Sequence, residues 1–172
     1  QPVSHTAYDL AHEHPGMQAL KRPGLPIFLS SRMYVYVYRH RVRYRECDPM
    51  GIVYHTHYLD YFEAARTEAL RELGLPYREL EEAGIIMPVV DLCVQYKRPA
   101  RYDDLLEIKA IFEEMPRMRA TIRYEVMRAG EATVLTTGQV TLCWVDTTRN
   151  RPIPAPPAII EVFRRVLPEQ AA

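Results

Sequence analysis

The sequence predicts an α+β domain, an antiparallel sheet wrapped around one long central helix. Three observations carry that expectation. Tyr58 to Leu73 shows a helical apolar stripe. The segments after it alternate with the period of β-strands. Those strands follow one another without intervening long helices, which favours antiparallel pairing over a doubly wound sheet.

The first 32 residues, "QPVSHTAYDLAHEHPGMQALKRPGLPIFLSSR", hold four of the 14 prolines and three of the six histidines, with no sustained period. They are expected to form a flexible extension over residues 1–32, dispensable for folding and chemistry. Patterning begins at Met33, where "MYVYVYRHRVRY" alternates and reads as one long strand. A loop follows, then the helix, whose apolar positions are Tyr58, Tyr61, Phe62, Ala65, Ala69 and Leu73. Asp60, Glu63, Glu68 and Arg71 lie mostly off that stripe. Thr56 suits an N-cap, and Gly74 followed by Pro76 is a stop signal. "PYRELEEAG" reads as a short second helix.

"IIMPVVDLCVQYKRP" then reads as a strand, followed by a turn and a second strand, "DLLEIKAIFEE". "RMRATIRYEVMRA" alternates Met118, Ala120, Ile122, Tyr124 and Val126 against polar neighbours. "RAGE" makes a glycine-containing hairpin turn into "ATVLTTGQVTLCWVD". The proline cluster "RPIPAPP" separates this core from a short closing helix, and residues 168–172 form a tail. The core domain is therefore expected over residues 33–167. One helix cannot shield a whole sheet, so self-association is expected to cover the rest.

Composition narrows the function classes. Lys plus Arg and Asp plus Glu number 22 each, giving a formal net charge of zero. A dedicated nucleic-acid or anionic-membrane protein needs a basic excess, so neither partner is expected. No apolar run approaches 18 residues, so no membrane span is expected. The apolar stretch "LPIFL" is too short for a signal-peptide core. The three cysteines, Cys47, Cys93 and Cys143, are odd in number and form no CxxC pair. Reduced thiols in a cytoplasmic setting fit that pattern best.

The stretch "YRECDPMGIVYHTHYLDYFEAARTEALRELG" concentrates the chemistry. Cys47, Asp48, His55 and His57 fall within eleven residues, yet their spacing matches no specific zinc pattern. Asp48 ends a strand, and a helix begins seven to nine residues later. The first amides of a helix lack internal partners and carry partial positive charge. A carbonyl docked there would be polarised while a nearby carboxylate attacks it or activates water. Equally, Asp48 has a plainer use, bonding loop amides or capping a turn. On these residues alone both readings stand.

The same stretch resembles the signature of the 4-hydroxybenzoyl-CoA thioesterase and YbgC-like family of the hotdog superfamily. That signature is Asp-x-x-Gly-(Ile/Val)-Val-Tyr-(His), followed by an aromatic-rich helix carrying Glu-x-Ala-Arg. "VDLCVQYKRPARYDDLLEI" is similar to the family's next strands, and the resemblance covers roughly Tyr34 to Arg165. It implies a single hotdog domain, a homodimer or homotetramer with continuous sheets, and thioester hydrolysis at the subunit interface. By the same resemblance Asp48 is the catalytic carboxylate, nucleophile or general base. His55 sits where a backbone N–H polarises the thioester carbonyl, and Tyr44 matches a tyrosine four residues before the aspartate. Glu63 falls where relatives place an acid near the acyl pocket. Arg117 and Arg119 lie where basic residues meet coenzyme A phosphates, although strand arginines also simply face water. Cys47 stands where the YbgC-like branch more often has threonine, and is read as a packed residue.

The expected activity is hydrolysis of an acyl-CoA thioester to a carboxylic acid and CoA, without metal or redox cofactor. The rivals are an acyl-carrier-protein thioesterase, a hotdog dehydratase and a non-catalytic acyl-CoA-binding module, since one fold hosts many roles.

Overall fold

A computed structural model of the chain describes residues 33–167; the expected extension and tail lie outside the described residues. In chain order the elements are β1 (Tyr34–Arg41), a 3₁₀ turn (Tyr44–Glu46), α1 (His57–Glu72), α2 (Tyr77–Glu82), β2 (Ile85–Ile86) and β3 (Val89–Tyr96). They continue with β4 (Leu105–Phe112), β5 (Arg119–Arg128), β6 (Val134–Asp146), β7 (Arg151–Ile153) and α3 (Pro157–Val166).

All pairings are antiparallel, in the order β1-β4-β5-β6. The 13-residue β6 is the spine of the sheet. Beyond it β3 pairs with Thr136 to Leu142, while β2 and β7 pair with its C-terminal end. The sheet curls around α1, whose Tyr58, Tyr61, Phe62, Ala65, Ala69 and Leu70 are buried. Leu73, expected on this stripe, is only partly buried, and Leu70 takes the deeper place. Phe62 stacks on Tyr124 with ring centroids 4.4 Å apart. Burying such a ring contributes about 1.5–3 kcal/mol.

Gly138, opposite Tyr124 in the register, makes room for that ring. A Cβ added there would stand 2.4 Å from Phe62 Cε2, inside any allowed contact. The closing helix buries Ile159 and Phe163, the latter against Phe112. On the outer face Arg39–Glu107 and Arg123–Glu113 pair across exposed positions, where solvent screening leaves little net stabilisation.

Three local expectations are corrected, and a fourth, the N-cap, holds in position alone. The first strand ends at Arg41, not Tyr44, because Val42 turns to bond Asp103 and Asp104, and Tyr44 enters the 3₁₀ turn. The segment "IIMPVVDLCVQY" is two strands: Pro88 offers no N–H, and the Met87 amide is taken by the Tyr77 hydroxyl. Within the proline cluster, Arg151–Ile153 forms an edge strand that tolerates Pro152, following Asn150 at φ 48°. Thr56 occupies the N-cap position of α1 without a side-chain capping bond.

β3 contacts the sheet only through β6. Its burial is slight, with Val89, Val90, Leu92 and Tyr96 between 43% and 51% exposed.

Candidate active site

The loop between β1 and α1 is a tight reversal of the chain. The Asp48 amide bonds the Ile52 carbonyl at 2.9 Å, Cys47 and Val53 form a bridge, and the Tyr54 amide bonds Glu46 at 2.9 Å. Gly51 at φ 72° supplies the left-handed step that closes the turn, where a side chain would be strained. Asp48 Oδ1 accepts the Met50 amide at 2.9 Å. Among the described residues nothing bonds Oδ2. The plainer use of Asp48 thus occupies one carboxylate oxygen and leaves the other.

His57 N–H bonds the Tyr54 carbonyl, and Leu59 N–H bonds Thr56. The amides of His55 and Thr56 donate to no acceptor among the described residues, so the entrance of α1 has orphan donors with partial positive charge. Asp48 and His55 share a cavity of about 370 Å³. Ile52, Val53, Tyr58 and Pro99 supply apolar wall, and Lys97 and Arg98 bring two cations. Tyr96 completes it; its hydroxyl donates to the His55 carbonyl at 2.9 Å. Burial pushes the Tyr96 hydroxyl up from its ordinary value, so it stays a donor at neutral pH.

The remaining residues singled out in the sequence are placed elsewhere in a single chain. Tyr44 is 83% exposed and meets Tyr102 edge-on, outside the cavity wall. Glu63 is exposed on α1 and also stands off the wall. Arg117 and Arg119 lie at the opposite end of the sheet. Arg119 pairs with Cys143 whereas Tyr96 pairs with Thr136, a distance of about 23 Å along β6 at about 3.3 Å per residue. One chain therefore does not bring them to Asp48.

His57 turns from the cavity, its Nδ1 lying 3.0 Å from Asp60. Among the described residues no group of three or more His, Cys, Asp or Glu is arranged to hold a metal. Burial, with the neighbouring Asp48 and Glu46 carboxylates, pushes the Cys47 thiol up, against a backbone hydrogen bond at Tyr102 that lowers it. That is the opposite of what an activated thiolate needs. Sequence reasoning gave Tyr96, Lys97 and Arg98 no role. Their signal was "YKRPA", a basic pair before a proline at the end of a strand.

A sheet curled around one long helix, with a carboxylate loop at that helix's entrance, defines the class as a hotdog domain. A family model described as thioesterase-like superfamily matches residues 42–163. The acyl-CoA thioester hydrolase YbgC of Escherichia coli O6:H1 is 32% identical over 125 residues, 73% of this chain and 92% of that protein. The acyl-CoA thioesterase YbgC of Haemophilus influenzae is 33% identical over 127 residues, with the same shares. Among solved structures, a DHNA-CoA thioesterase from Staphylococcus aureus superposes with a TM-score of 0.72 at 32% identity, covering 77% of this chain and 90% of that one. A 4-hydroxybenzoyl-CoA thioesterase mutant complexed with 4-hydroxybenzoyl-CoA gives 0.68 at 27% identity, covering 74% and 97%. The chain belongs to the thioesterase-like superfamily, in its hotdog-fold, YbgC-like family.

Proposed function

We propose that the protein hydrolyses acyl-CoA thioesters and that Asp48 carries the chemistry. The observation that bears most weight is the shared cavity of Asp48 and His55 at the entrance of α1. A thioester carbonyl seated on the His55 and Thr56 amides develops negative charge where partial positive charge already waits. Asp48 then attacks the carbonyl carbon, expelling the thiolate and leaving an anhydride that water cleaves, or it takes a proton from the attacking water. Either route consumes one water and yields a carboxylic acid and free CoA thiol. Lys97 and Arg98 at the cavity are suited to coenzyme A phosphates. The relatives named for acyl-CoA substrates support that substrate class.

The active unit in this reading is a homodimer. β3 offers an apolar edge with one neighbour, and such an edge is stabilised by pairing with a second copy. Two-fold antiparallel pairing of β3 strands sets the Val89 end of one copy beside the Tyr96 end of the other. Arg117 and Arg119 of the second copy then join the same end of the shared sheet as Asp48 of the first, which gives them their route to the phosphates. Tyr44 and Glu63, both exposed in one chain, are assigned substrate-facing roles in that assembly. No described helix is long and apolar enough to cross a membrane.

Thiol release from a panel of aliphatic and aromatic acyl-CoAs, with acyl-carrier-protein thioesters alongside, tests the reading. Turnover of at least one acyl-CoA is expected. Tight binding of acyl-CoA with no thiol released makes the protein a binding module instead, and release from carrier-protein thioesters alone moves the substrate class.

A further inference from the structure

Glu46 is the one charged side chain buried among the described residues, at 6% exposure, and the reaction above gives it no role. A carboxylate taken out of water is costly unless hydrogen bonds replace its hydration. Three groups converge on its Oε2: His40 Nε2 at 2.9 Å, the Arg43 amide at 2.8 Å and the Tyr61 hydroxyl at 3.0 Å. They come from β1, from the start of the 3₁₀ turn and from α1. The His40 and Tyr61 rings also pack on each other, centroids 4.5 Å apart.

The backbone of Glu46 belongs to the site loop. Its carbonyl accepts the Tyr54 amide, one residue before His55, and Asp48 follows two residues later. Between these points the Cys47–Val53 bridge and the Asp48–Ile52 bond complete the reversal. The side chain faces a cavity of about 420 Å³ bounded also by Arg43, Arg45, His57 and Asp60, which shares no lining residue with the Asp48 cavity. At 6% exposure, with its Oε2 taken by three partners, the Glu46 side chain serves the fold around the loop. It joins the strand before the loop to the helix after it.

We propose that Glu46 is a positioning residue. Held by His40, the Arg43 amide and Tyr61, it sets the distance between the Asp48 carboxylate and the amides at the entrance of α1. This rests on the reading of that loop as a thioesterase site. A charged oxygen suits the task because charge-assisted bonds are about twice as strong as neutral ones, and misplacing a reacting group by about 1 Å can cost about 100-fold in rate.

Glu46→Gln and Tyr61→Phe test it, the second being mild enough to fold where the first fails. Three quantities are read: kcat and KM on an acyl-CoA, melting temperature, and amide hydrogen exchange at Asp48 and Tyr54 against Ile122 and Tyr124 of β5. The expected result is kcat down by about 10–100-fold with KM nearly unchanged, exchange faster at Asp48 and Tyr54, and β5 protection retained. Glu46→Asp, which keeps the charge, recovers part of the loss. Unchanged kcat and loop exchange overturn the proposal. So does a kcat loss accompanied by an equal rise of exchange in β5, which marks general destabilisation. If the wild type releases thiol from no thioester, the proposed function fails, and the exchange comparison alone still decides whether Glu46 holds the loop.

Discussion

The Tyr96 hydroxyl donates to the His55 carbonyl at 2.9 Å, tying the exposed edge strand β3 to the residue that leads into α1. The His55 and Tyr96 rings also meet edge-on, with centroids 6.3 Å apart. Tyr96→Phe keeps the ring and removes the bond. Turnover is expected to fall about 2–10-fold, the equivalent of a net hydrogen bond of about 0.5–1.5 kcal/mol. The melting temperature should hardly move, since Tyr96 is half exposed. Kinetics and a thermal melt on the same preparation check this; full activity would mean that β3 does not position the loop.

Gly138 is occupied from across the core by Phe62, whose ring leaves no room for a Cβ. Gly138→Ala should destabilise the fold by about 1–3 kcal/mol through overpacking. Phe62→Leu vacates that space, so the double variant should be more stable than the sum of the two losses implies. Urea unfolding of the four proteins measures the coupling, and strict additivity would contradict the contact.

The apolar edge of β3 predicts its own disruption. Leu92→Lys places a charge on that edge, a device that blocks strand pairing. Sedimentation should show the wild type as a dimer and the variant shifted to monomer, with turnover falling alongside. A monomeric, fully active wild type would remove the composite site.

Acid stability should report on Glu46. Burial pushes its carboxyl up, but hydrogen bonds from His40, the Arg43 amide and Tyr61 outweigh burial and leave it below its ordinary value of 4.5. The unfolded chain therefore binds the proton first, so the folded-state stabilisation is complete above about pH 4.5 and is lost as pH falls through the lower folded value. Glu46→Gln lacks this contribution. Its melting temperature should lie below wild type at neutral pH, and the gap should narrow as pH drops from 5 toward 3. A constant gap across that range would mean the carboxyl titrates alike in both states.

The sheet and α1 were legible because their apolar periods, two and 3.6, are local properties. Where β1 ends was not. Alternation runs on through Tyr44, but Val42 is turned by Asp103 and Asp104, some sixty residues away in the chain. Likewise Asp48 and His55 stand together in the sequence and in one cavity. Tyr96, Lys97 and Arg98 reach that cavity only because β3 pairs with β6, bringing Tyr96 to a residue 41 positions earlier. For Arg117 and Arg119, motif position gave a role without saying which end of the sheet they occupy. Register supplied that.

Asp48, set by its loop at the entrance of α1, is the residue proposed to carry thioester hydrolysis. Asp48→Asn keeps the shape and the Oδ1 bond to the Met50 amide while removing the charge. Turnover on one acyl-CoA should fall by about 10²–10⁴-fold, with melting temperature and sedimentation unchanged. His55→Ala should cost less, because its backbone N–H survives. Cys47→Ser and His57→Ala should remain close to wild type, with or without a chelator. Near-normal turnover by Asp48→Asn, or loss through chelation with Cys47→Ser or His57→Ala equally damaging, would remove Asp48 from the chemistry.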